Sequence, residues 1–130
     1  MKHKDQKKKD WIIHYVFPTC DGEMDNMINA HTHGFREKYS HPEFQIILPI
    51  SEKLVFTLIN EIGMRAAEGQ RFSDGYMIDD ILSGYSICLK EVWDDAENLV
   101  YRIILPDPNG LFPWDDGCEE VYKKQYKEEV

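Results

Sequence analysis

Apolar and polar positions alternate in short blocks along this chain, and most blocks are the length of a strand. Residues 11–17 (WIIHYVF) are rich in aromatic and β-branched side chains and predict a strand, which Pro18 stops. A polar loop follows over 19–26, and residues 27–33 (MINAHTH) predict a second strand ended by Gly34. Residues 35–42 read as a connection, and residues 44–48 (FQIIL) as a third strand closed by Pro49. The pattern then changes period. Leu54, Val55, Leu58, Ile59, Ile62 and Ala66 recur at helical spacing, Ser51 suits an N-cap, and Gly69 ends the stripe. A helix over about 51–68 therefore presents one apolar face to a sheet.

Beyond the helix, residues 76–82 (YMIDDIL) fit either a short strand or a helical turn. Residues 85–93 and 99–105 predict two more strands, separated by a polar turn, and Asp107-Pro108-Asn109-Gly110 predicts another turn. Clustered strands around one helix, without strict alternation, predict an α+β fold with a largely antiparallel sheet of about five strands. No repeat or linker divides the chain. The expected organisation is a basic, flexible terminus over 1–10, one domain over 11–122, and a polar tail over 123–130.

Charge narrows the function classes. The chain of 130 residues carries a formal charge of −9, and five lysines lie in the first nine residues. Without those nine residues the balance is 10 basic to 23 acidic, a net of −13. An acidic body repels phosphate backbones, so no nucleic-acid partner is expected. No apolar run approaches a membrane span and no signal-peptide pattern opens the chain, so a cytoplasmic protein with no membrane partner is expected. Cys20, Cys88 and Cys118 form no CxxC pair, which suits a reducing compartment.

Candidate chemistry centres on Asn29-Ala30-His31-Thr32-His33-Gly34. Residues two apart share a strand face, so His31 and His33 point the same way. Two imidazoles on one face begin a site for zinc or another divalent transition metal. His41 or Glu43 is the candidate third ligand, if the intervening connection folds back. Cys118 lies among Asp115, Asp116, Glu119 and Glu120, which oppose a thiolate. Cys88 reads as a small core residue, and the adjacent acids Asp79/Asp80 and Asp94/Asp95 read as solvated. Walker A, GxGxxG, GxSxG and HExxH motifs are absent.

An ordered set of segments carries a family resemblance: Thr32-His33-Gly34-Phe35, His41-Pro42-Glu43-Phe44, the amphipathic helix, Gly69-Gln70-Arg71-Phe72, and Leu105-Pro106-Asp107-Pro108-Asn109-Gly110 running on through Leu111-Phe112-Pro113-Trp114-Asp115. Over residues 11–122 the chain resembles the bacterial family catalogued as domain of unknown function 4262. The resemblance implies a small bacterial soluble domain and no particular reaction. The family's broader pattern is Tyr-Thr-x-Gly-Leu where this chain has His31-Thr32-His33-Gly34-Phe35, so the two imidazoles would either mark a subgroup with its own function or be neutral replacements. Two function classes stay open. One is a non-catalytic binding or interaction domain, homodimeric through a sheet edge or the helix. The alternative is a metal-dependent, hydrolase-like enzyme built on His31 and His33.

Overall fold

A computed structural model describes residues 11–16, 28–48, 50–93 and 97–126. Its strands are β1 (Ile12–Val16), β2 (Ile28–His33), β3 (Glu43–Leu48), β4 (Tyr76–Leu82), β5 (Tyr85–Trp93) and β6 (Leu99–Ile104). They form one sheet in the order β1-β2-β3-β6-β5-β4. Neighbours run antiparallel except β3 and β6, which are parallel. A parallel pair needs a long crossover, and helix α2 (Glu52–Ala67) followed by the β4–β5 hairpin supplies it.

The helix forms where its apolar stripe and caps predict. Ser51 caps it, its hydroxyl accepting from the Leu54 N–H at 3.1 Å. Val55, Leu58, Ile59, Ile62 and Ala66 are buried against one face of the sheet, where Ala30, Phe44, Ile46, Leu48, Ile87, Leu89 and Ile103 meet them. Complete burial of one such aliphatic side chain stabilises by about 1.5–3 kcal/mol. Gly63 lets the helix approach Trp11 and Phe35, whose rings lie 4.6 Å apart. The Trp11 indole N–H donates to Asn60 Oδ1 at 2.9 Å, tying β1 to the same helix.

The sheet has six strands where the sequence pattern counts about five, because residues 76–82 are β4. A register shift between Ile78 and Leu82 explains the ambiguous pattern. An irregular edge strand can expose two successive residues, and Asp79 and Asp80 are both exposed. The connection after β2 contains a one-turn helix, α1 (Phe35–Tyr39), entered through Gly34 at φ 124°, an angle that other residues avoid.

After β6 the chain folds over β5 and β6 on the face away from α2. Asp107 anchors the turn by accepting from the N–H groups of Asn109, Leu111 and Glu119 at 2.9 Å each. Burial raises its carboxyl pKa, but these backbone donors outweigh that and hold it below the usual value. Phe112 and Trp114 stack 5.2 Å apart, and Trp114 meets Tyr126 edge-on over the Lys90 ammonium. Helix α3 (Glu120–Lys123) follows. Gln125 is completely buried and brackets Leu105, accepting from its N–H and donating to its carbonyl at 2.7 Å each. Packing thus continues past Tyr122 to Tyr126, into the segment the sequence assigns to a polar tail. The basic terminus over 1–10 lies outside the described residues.

Candidate metal centre

The face of β1 and β2 turned away from α2 carries three histidines. His14 pairs directly with His31 across the two strands, and His33 pairs with Ile12. Directly opposed residues share a face, so His14, His31 and His33 project together. Their ring centroids lie 5.5 Å (His14–His31), 4.4 Å (His14–His33) and 5.2 Å (His31–His33) apart. One nitrogen from each ring falls within 4.8 Å of the other two. Tetrahedral zinc with Zn–N bonds of about 2.0–2.1 Å needs nitrogens about 3.3 Å apart. The strand register already holds the three side chains on one surface, so the remaining approach falls to side-chain torsions alone. His31 is half-buried, while His14 and His33 are exposed.

His41 and Glu43 are not brought to this cluster. His41 is 2% exposed and lies among Phe35, Phe44, Phe72 and Tyr101. Its Nδ1–H donates to the Pro42 carbonyl at 2.8 Å, which leaves the lone pair of the neutral ring on Nε2. Nε2 is buried with no hydrogen-bond partner among the described residues. Burial pushes the His41 pKa down and Arg71 adds to this, against the pull of the Pro42 carbonyl and Glu43.

Glu43 is occupied by another task. Its carboxylate accepts from the Thr32 hydroxyl (2.7 Å) and from the N–H groups of Gly34 (3.2 Å), Phe35 (3.3 Å) and Arg36 (3.2 Å). These are the free donors at the start of α1, and a carboxylate there also suits the helix dipole. Thr32 passes the network on by accepting from the Phe44 N–H at 2.9 Å. Among the described residues no carboxylate or thiol joins the three imidazoles.

His14 is the member of the cluster that the sequence reading leaves out. Its signal is parity: consecutive strands tend to pair antiparallel, and such pairing can bring a histidine in one onto the face of His31. The long 17–27 segment leaves the register open, and so the partner of His31.

The other nominated groups have structural surroundings. Cys118 is buried, and its thiol donates toward the carbonyls of Leu111 (3.4 Å) and Glu119 (3.6 Å). Burial pushes that thiol up, and Asp107 pushes it further. Cys88 is buried and pushed up by the same cause. Asp80 pairs with Arg65 at 3.0 Å. Cys20, Asp94 and Asp95 lie outside the described residues.

A polar row continues from the histidines across the sheet. His14, His31, Gln45, Arg102 and Lys90 are successive register partners from β1 to β5. Arg102 Nε donates to Gln45 Oε1 at 2.9 Å, and Gln45 Nε2 donates to Asn29 Oδ1 at 3.2 Å. None of the described helices is long and apolar enough to cross a membrane.

No curated protein and no solved structure matches the chain significantly. The profile of one family, a domain of unknown function (DUF4262), matches residues 6–119. By a match over most of its length, the chain belongs to that family.

Proposed function

We propose that this domain is a small non-catalytic binding module whose ligand is a divalent transition-metal ion, zinc being the simplest, held by His14, His31 and His33. The observation that carries the reading is the convergence of three imidazole nitrogens within 4.8 Å on two adjacent strands. Nitrogen ligands of this kind suit zinc, copper or nickel better than magnesium or calcium. Three protein ligands would leave one position open on the ion.

That open position is also the starting point for hydrolysis, since a zinc-bound water acidifies. The hydrolase-like alternative needs a base beside the water. The base that the sequence offers, Glu43, already accepts four hydrogen bonds elsewhere. The non-catalytic reading is therefore the better supported.

The test is the metal content of purified, tag-free protein by elemental mass spectrometry, together with zinc uptake by metal-stripped protein. A His31→Ala/His33→Ala variant serves as the control. Near-stoichiometric metal in the parent and none in the variant is the expected result. A parent that carries no metal and takes up no zinc would refute the reading.

A further inference from the structure

The row of side chains beside the histidines contains a cation that no carboxylate pairs with among the described residues. Arg102 is half-buried, and burial pushes its guanidinium pKa down. Nε is bound to Gln45 and Nη1 donates to the Gln125 carbonyl at 3.0 Å. Both partners are neutral, and no carboxylate pairs with Arg102 among the described residues. Lys90, next in the row, is served differently: it has Asp74 at 3.7 Å and the rings of Trp114 and Tyr126. A guanidinium drawn partly out of water with only neutral partners favours an anion.

Position says which kind of anion. Gln45 separates His31 from Arg102 in the row, and neighbouring strands are about 4.8 Å apart. The Nε bond to Gln45 draws the Arg102 head toward the histidine side, so the guanidinium and a metal on the histidines would share one face about two strand spacings, ~10 Å, apart, a gap that an extended four-carbon diacid spans. Gln45 is held in place by Asn29 and Arg102, which fixes the polar surface between the histidines and the guanidinium.

Resting on the metal site proposed above, we infer that this face binds a small dicarboxylate, one carboxylate completing the coordination of the ion on His14, His31 and His33 and the other pairing with Arg102. A monocarboxylate would satisfy the metal and leave Arg102 unpaired. The acidic body of the protein makes such a cationic strip a local exception on its surface.

The probe is the cobalt(II)-loaded protein, whose visible absorption responds to the fourth ligand. It is titrated with succinate and, as the one-ended control, with acetate, in the parent, Arg102→Gln and Arg102→Lys. The expected result is succinate binding at least tenfold tighter than acetate in the parent. Arg102→Gln should abolish that preference at unchanged cobalt affinity, and Arg102→Lys should keep part of it. Cobalt binding without a succinate preference in the parent would overturn the inference and leave the metal reading standing. The same holds if a preference survives in Arg102→Gln. Failure to bind cobalt at all would remove both. If Arg102→Gln does not fold, the parent comparison and Arg102→Lys still decide.

Discussion

His14 and His31 face each other directly across β1 and β2, with ring centroids 5.5 Å apart and planes inclined by 25°. Neither residue reaches the other through sequence proximity; the antiparallel register alone makes them neighbours. The metal proposal therefore makes a sharper demand than a His-x-His pattern does. His14→Ala, which leaves the sequence motif intact, should weaken zinc binding at least tenfold, because even supporting residues of metal sites cost ~10–100-fold when removed. Calorimetric zinc titration of the single variant checks this. An unchanged affinity would mean that His14 is not a ligand.

Glu43 divides a structural role from a metal role. Glu43→Gln keeps the shape and one acceptor, but it brings an NH₂ group against donors that now bond a carboxylate. The expected loss is about 1–3 kcal/mol in urea unfolding, typical when buried donors lose a partner. Zinc affinity of the folded variant should equal that of the parent. A selective fall in affinity, with stability preserved, would place Glu43 in the metal's surroundings instead.

Local chemistry made some of this architecture legible in the sequence, and non-local pairing hid the rest. Ser51, the apolar stripe from Leu54 to Ala66 and Gly69 are short-range signals, and α2 lies where they put it. The strand bearing His31 and His33 is readable for the same reason. The β4 strand was ambiguous because its register shift exposes Asp79 and Asp80 together and spoils the alternation. His14 was missed because nothing local fixes a register across the 17–27 segment. The roles of His41 and Glu43 depend on which donors and rings surround them, and spacing along the chain does not encode that. Gln125 reads as one polar residue in a polar tail, yet its amide is complementary to the buried backbone N–H and carbonyl of Leu105.

Gly63 tests the closeness of α2 to Trp11, just before β1, and to Phe35 at the start of α1. A Cβ there would meet Phe35 Cζ at 2.7 Å and Trp11 Cζ2 at 3.2 Å. Phe35 is completely buried and has nowhere to retreat. Alanine favours a helix over glycine by about 1 kcal/mol, but overpacking a core costs about 1–3 kcal/mol. Gly63→Ala should therefore be net destabilising by up to about 2 kcal/mol in chemical denaturation, although an exposed helical glycine would show the opposite sign. A variant as stable as the parent would mean the helix can lift away without cost.

His41 sets a pH dependence whose sign follows from its surroundings. Its pKa is below the ordinary 6.5, chiefly through burial, with Arg71 adding to the shift and the Pro42 carbonyl and Glu43 opposing it. The unfolded chain takes up a proton on this imidazole near pH 6.5, and the folded chain resists until lower pH. Its contribution is thus fully present above 6.5 and is lost as pH falls through the folded value. His41→Phe keeps a ring among Phe35, Phe44, Phe72 and Tyr101 but cannot titrate. It also removes the bond to the Pro42 carbonyl, a cost that is the same at every pH at which the ring is neutral. The difference in unfolding free energy between parent and variant should therefore be flat above 6.5 and shift in favour of the variant below it. Groups common to both proteins cancel in that difference. A difference that stays flat on the acid side would mean that the folded protein admits a proton at His41 as readily as the unfolded chain does.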